Sequence, residues 1–260
     1  MDIEHPQYLY KYRAVSGAQE LSQDHSIDTL FKCQAIFSTR KNFNDLFDSK
    51  IEFIRPTPKQ IQSLGNKAEE GGQFNFRKLV SDGQFTERGH NFIKNSEEGL
   101  GTLIDSYLFF CVSKNCKSNL MWSHYADSHK GFCIEFKSEH IRADKVAYQD
   151  EIPRIEVMDF LINQVNLSNN IWQSLRTKLK EWEYEDEYRF QPSKSMVMTD
   201  LPGSNGLQSS SYDPKFIESI IFGCRTPASV KEYITKNIPY RVKFKQAVER
   251  TSSIEIIDLA

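Results

Sequence analysis

The chain has 260 residues, 39% hydrophobic and 26% charged, with a formal net charge of −2. That length suits one large domain, 1–260, with room for an insertion. The balanced charge excludes a whole-protein field for nucleic acid or membrane while leaving room for a local basic groove, and 18 Phe, 11 Tyr and 3 Trp argue against a disordered chain. The N-terminal residues MDIEHPQYLYKYR contain no apolar core of a signal peptide, and no apolar run is long enough to span a bilayer. Five cysteines without a CxxC pair read as reduced thiols, so a cytoplasmic protein is expected.

Aromatics at Tyr8, Tyr10 and Tyr12 alternate, which predicts a first strand over Tyr8–Arg13. A short helix is expected over 28–33 and a strand over 35–38, then a polar turn over 40–48. Residues 55–100 combine Gly and Pro with many charges and read as a helical and loop insertion. Residues 106–113 (SYLFFCVS) predict a strand buried on both faces. NLMWSHYA (119–126) predicts a helix with Asn119 as its N-cap. Gly131 opens a strand with Phe132, Ile134 and Phe136 on one face and Cys133 and Glu135 on the other. A partner strand is expected over 146–148.

Residues 156–180 read as helical, with Trp172, Leu175, Leu179 and Trp182 as an inward stripe and a break at 168–170. A strand is expected over Glu187–Phe190, a flexible loop over 195–214, and a strand over 216–222. Thr226-Pro227 predicts a helix start with Thr226 as N-cap, and 240–248 and 254–259 predict closing strands. Interleaving without regular βαβ spacing predicts an α+β fold with mixed, mostly antiparallel sheets.

No P-loop, GxGxxG, HExxH or GxSxG motif occurs. Four constellations remain. His124, Asp127 and His129, with Cys116 and Cys133, match no standard zinc spacing, so no metal is expected; hydrogen bonding to backbone is the plainer role for the histidines. Glu183, Glu185, Glu187 and Arg189 would share one strand face, either as a positioned carboxylate set or as a solvated acidic face. Arg13, near Ser38 and the Phe43-Asn44-Asp45 turn, would hold an anion through two parallel hydrogen bonds or bridge to an aspartate of that turn. Asp127 with Glu135 and Lys137 outlines a metal-dependent nuclease site.

The stretches LYKYR (9–13), FSTRKNFNDLFD (37–48), NLMWSHYADSHKGFCIEF (119–136), EWEYEDEYRF (181–190) and IIFG (220–223) resemble a widespread bacterial family known only as a domain of unknown function. Leu46 stands where that family usually has Pro. The family's gene neighbourhoods suggest phage defence or mobile elements. The order of a first-strand Arg, a strand Ser and a late Glu-x-Glu is also similar to the ADP-ribosyltransferase layout. That similarity implies NAD as cofactor, with a toxin or defence effector as the biological role. By it, Arg13 binds phosphate, Ser113 or Ser38 lines the pocket, Glu187 holds the ribose and Glu185 serves the acceptor. Tyr12, Tyr125 or His124 would complete the cofactor site. A carboxylate there would stabilise an oxocarbenium-like transition state. A protein or nucleic-acid acceptor is then the implied partner, with no membrane. A non-catalytic interaction or sensor module, its polar clusters serving as structural networks, is the alternative.

Overall fold

A computed structural model describes residues 5–16, 20–67, 76–158, 164–201 and 203–259. In chain order the strands and helices are β1 (Tyr8–Arg13), α1 (His25–Phe31), β2 (Gln34–Phe37), β3 (Glu52–Ile54), α2 (Pro58–Lys67), β4 (Val80–Ser81), β5 (Gln84–Phe85), α3 (Glu87–Asp105) and β6 (Phe110–Ser113). Then come α4 (Asn119–Tyr125), β7 (Phe132–Lys137), β8 (Asp144–Lys145), β9 (Ala147–Gln149), β10 (Arg154–Glu156), α5 (Gln164–Leu175) and β11 (Thr177–Leu179). The last elements are β12 (Glu187–Phe190), β13 (Thr199–Asp200), β14 (Gln208–Ser211), β15 (Ile217–Phe222), α6 (Ala228–Asn237), β16 (Lys243–Glu249) and β17 (Ile254–Asp258). The fold is α+β, and its sheets are mostly antiparallel.

The chain forms two compact units. The first takes Met1–Phe43, Leu108–Tyr148 and Lys180–Ala260; the second takes Asn44–Tyr107 and Gln149–Leu179. The 55–100 stretch lies inside the second unit, which also needs residues from 149–179. There, Ile61, Leu79, Ile93 and Met158 form a small core, and β3 pairs in parallel with β10. Asp48 is buried against Lys178 at 3.2 Å. Arg13, the candidate for a bridge to the 44–48 turn, donates instead to Thr29 Oγ1 at 3.3 Å. Leu46 is 87% exposed, which is why a departure from Pro there disturbs no packing.

The first unit is organised by one eight-stranded sheet, ordered β17-β16-β15-β7-β1-β6-β12-β8, in which only β15 and β16 run parallel. Alternation along β1 and β7 gives the sheet two faces. Leu9, Val112, Ile134, Phe136, Ile220 and Phe222 pack against α1 and α6 through Ile27, Leu30, Val230 and Ile234. Tyr12, Cys133, Ile221 and Ala247 face α4 through Met121, Trp122 and Ala126.

Several local expectations change. The N-cap of α4 is Ser118, whose Oγ accepts from Met121 N at 3.3 Å; Asn119 is already helical. Thr226 is not the cap of α6, because its hydroxyl donates to Gly131 O at 2.6 Å instead. Residues 168–170 do not break a helix but lie within α5. The stripe through Leu179 and Trp182 dissolves, since the helix ends at Leu175 and a strand and a 3-10 turn follow. The 195–214 loop contains β13 and β14, and β14 pairs antiparallel with β2 from Gln208↔Phe37 to Ser211↔Gln34. Its Ser and Gln side chains hid it, because the pairing is carried by backbone.

Asp24 caps α1. Its carboxylate accepts from Ser16 N and Ser16 Oγ at 2.6 Å each and from Ile27 N at 3.0 Å. Burial works to raise its pKa, but the Ser16 and helix-end hydrogen bonds outweigh that and hold it below the usual carboxylate range. Its stabilisation is therefore full above the unfolded-state pKa and is lost as pH falls through the folded one. Asp24→Ala is expected to cost about 2 kcal/mol at neutral pH, and less in acid, in urea unfolding.

Candidate functional site

The MWSHYADSHKG block first builds a turn. Asp127, Ser128 and His129 all have positive φ, at 45°, 51° and 70°. This left-handed run is tied to α4 by Ser128 N to Ser123 O, His129 N to Trp122 O and Gly131 N to Ala126 O. It is tied to the end of β15 by Arg225 N to His129 O and Gly223 N to Gly131 O. The His129 ring stacks on Trp122 and its Nε2 lies 3.2 Å from Ser123 Oγ. Trp122 donates its indole N–H to Cys116 O at 2.8 Å. Much of the block's peculiar sequence is thus spent on the turn.

Burial, then the nearby Arg225 charge, lowers the His129 pKa. A neutral folded histidine competes with an unfolded one that protonates near pH 6.5. This group's contribution to stability therefore declines as pH falls below about 6.5. His129→Asn is expected to flatten that part of a stability-versus-pH curve measured by urea unfolding.

Across the sheet face that carries Tyr10 and Tyr12 runs a polar row set by strand register. Glu187 stands opposite Ser113, Ser113 opposite Tyr10, Tyr10 opposite Glu135, and Glu135 opposite Ser219. Glu135 is buried and accepts from Tyr10 OH at 3.1 Å, Ser219 Oγ at 2.5 Å and Lys245 Nζ at 2.7 Å. Glu187 accepts from Arg189 Nε at 2.8 Å and Nη2 at 3.2 Å. The pair is 5% and 0% exposed, and the guanidinium lies 5.2 Å from the Phe43 ring centre and 5.5 Å from that of Phe109.

The acidic stretch does not form one strand face. Lys180–Glu185 is 3-10 helical and Asp186 has φ 41°, so only Glu187 and Arg189 share a face of β12. That turn brings Glu185 to Ser113 and α4. Ser113 Oγ donates to Glu185 O at 2.6 Å, and Tyr125 OH donates to Glu185 Oε1 at 2.5 Å. His124 is exposed beside Tyr125 and Tyr184, with ring centres 6.4 and 6.1 Å away. Glu185, Ser113, Tyr125 and His124 therefore gather at one place, with Glu187 opposite Ser113.

Tyr12, Arg13 and Ser38 do not join them as proposed cofactor ligands. Tyr12 is buried edge-on to Trp122 and donates to Asn115 O at 2.6 Å, so its face is not open for stacking. Arg13 alternates onto the opposite sheet face, with Leu9, and donates to Thr29 Oγ1 at 3.3 Å. Ser38 holds a backbone bridge to Phe109, and its hydroxyl donates to Thr39 O at 3.1 Å. The nuclease outline separates too. Glu135 is taken by the polar row, Lys137 pairs with Glu218 at 3.6 Å, and Asp127 lies on the exposed turn 4.0 Å from Lys130. Ser219 and Lys245 carried no signal in the sequence, and Lys11 stood only within the first-strand stretch LYKYR. Lys11 carries burial that pushes its pKa down and donates to Cys111 O at 2.8 Å.

Residues 121–190 match the family model described as Protein of unknown function (DUF2971). The segment begins at Met121, the first residue of the MWSHYADSHKG block, and ends with EYRF, so it covers most of one and all of another of the stretches that carried the resemblance. No curated protein and no solved structure matches the chain. No helix among the described residues is long and apolar enough to cross a membrane.

Proposed function

We propose that this chain, with its segment of a family of unknown function, is a non-catalytic binding or sensor module. The observation that carries this reading is the Glu187–Arg189 pair. The carboxylate best placed by sequence to grip a ribose is held by two hydrogen bonds from a fully buried guanidinium. Such a pair fixes geometry rather than offering charge to a ligand. The placement of Arg13 on the other face of the sheet supports it further, because no anion could bridge Arg13 and Glu187.

NAD-dependent ADP-ribosyl transfer or NAD hydrolysis, in a toxin or defence role, is the second reading. It is favoured by one feature, the meeting of Glu185, Tyr125 and Ser113 beside an exposed histidine. In it Glu185, not Glu187, would face the reacting ribose. Labelled NAD incubated with wild type and Glu185→Gln, with protein, DNA and RNA as acceptors, separates the two. The module reading expects no product above the protein-free control. Turnover by wild type that disappears in a folded Glu185→Gln would replace it with the enzymatic one.

A further inference from the structure

We propose that the first unit binds a small planar aromatic molecule in a half-open cleft at the edge of its main core, on the sheet face opposite Glu185. The site goes beyond the reading above, since none of the residues discussed there lines it.

The cavity holds about 350 Å³ and lies between β2 and β14 on one side and β6, β7 and β12 on the other. Phe37, Phe110, Phe136, Phe190, Tyr212 and Phe216 supply most of its wall. The pocket is a half-open cleft whose wall is mainly aromatic, and so apolar a concavity is the usual form of a small-molecule site. Water is a poor occupant, because it needs two to four polar partners and the wall is largely carbon. Its size falls at the lower end of small-ligand pockets, roughly 300–1,000 Å³.

Ring orientation argues for a flat ligand. The Phe216 ring is near-parallel to His140, at 17° and 4.4 Å, and to Tyr212, at 14° and 6.2 Å. Phe136 meets Tyr212 edge-on at 76°. These rings pack on one another, and a planar ring can lie against the faces and edges they leave toward the cleft, contacts that a flexible chain makes less fully. The polar part of the wall is confined to His140, Asp213, Ser210 and Ser211. Asp213 stands exposed at the rim, accepts from Lys215 N at 2.9 Å and pairs with Lys215 Nζ at 3.0 Å, contacts that hold its carboxyl below the usual range, so it stays anionic. A heteroaromatic ring carrying an N–H donor fits that edge.

Indole is the probe, titrated into the whole protein and followed by the Met196 methyl resonance and by thermal unfolding. Met196 lines the cavity, so a stacked ring would shift its methyl signal. Ala35 and Ser210 pair across β2 and β14 at the wall, so a larger side chain at Ala35 occupies the space. Saturable indole binding is expected in wild type, with a raised melting temperature, and hexan-1-ol should bind more weakly. Ala35→Phe should abolish the shift. Ala35→Leu, the gentler filling, should weaken it about tenfold or more while keeping a native melting transition. The absence of a saturable shift, equal binding by folded Ala35→Leu, or hexan-1-ol binding as tightly as indole would each overturn the proposal. NAD turnover at Glu185 would overturn the module reading and leave this site untouched.

Discussion

Gly131→Ala is expected to destabilise the first unit by about 3 kcal/mol or more, with a matching fall in the urea midpoint. A Cβ at Gly131 would stand 2.1 Å from the Arg13 carbonyl oxygen and 3.1 Å from that of Ala126. Both obstacles are backbone, so neither can swing aside as a side-chain tip would. The same residue's carbonyl accepts from Gly223 N at 3.1 Å and Thr226 Oγ1 at 2.6 Å. Displacing it therefore strains three connections at once: to β1, to α4 and to the start of α6. A variant within 0.5 kcal/mol of wild type, the usual range for a harmless surface change, would show that the junction yields.

The second large effect falls on the buried ion pair. Arg189→Met is expected to cost about 3–5 kcal/mol, because it leaves the Glu187 carboxylate in the interior without this cation. Glu187→Gln should cost less than the arginine change, since the amide oxygen still accepts from the guanidinium while its charge is lost. Replacing both, as Glu187→Leu with Arg189→Met, should lie closer to wild type than Arg189→Met alone, because no buried charge of the pair then remains. A carboxylate kept for chemistry at a cost in stability would behave the opposite way, and its removal would stabilise the fold.

Strands whose side chains alternate strongly were legible in the sequence. The first strand follows from Tyr8, Tyr10 and Tyr12, and β7 from Phe132, Ile134 and Phe136 against Cys133 and Glu135. What was hidden depends on contacts between distant residues. Nothing local to QSSS says that it will pair with β2, and a Ser- and Gly-rich composition argues for a loop. The acidic stretch misled for a different reason. Alternating Glu residues imitate a strand face, but a single left-handed residue, Asp186, ends a 3-10 turn and resets the phase.

The candidate site was legible in part. Glu185, Ser113, Tyr125 and His124 were named from sequence and do meet, because β6, α4 and the turn before β12 converge. Arg13 and Glu187 fall on opposite faces by a rule already present in the strand period, yet that rule needs the register between β1, β6 and β12. Lys245 reaches Glu135 across β15 from a strand with no motif, so its role could be seen only once the strand order was known. The cleft near Phe216 gave no sequence signal, since its Phe and Tyr residues come from five separate stretches.

The central claim is that Glu187 serves the fold and not a reaction, and a double-mutant cycle tests it most directly. Stabilities of wild type, Glu187→Gln, Arg189→Met and the combination of those two would be measured by urea unfolding. A coupling energy of about 2 kcal/mol or more is predicted, near the upper part of the range for residues in direct contact. Coupling near zero, with Glu187→Gln as stable as wild type, would contradict the claim and return Glu187 to the candidates for chemistry.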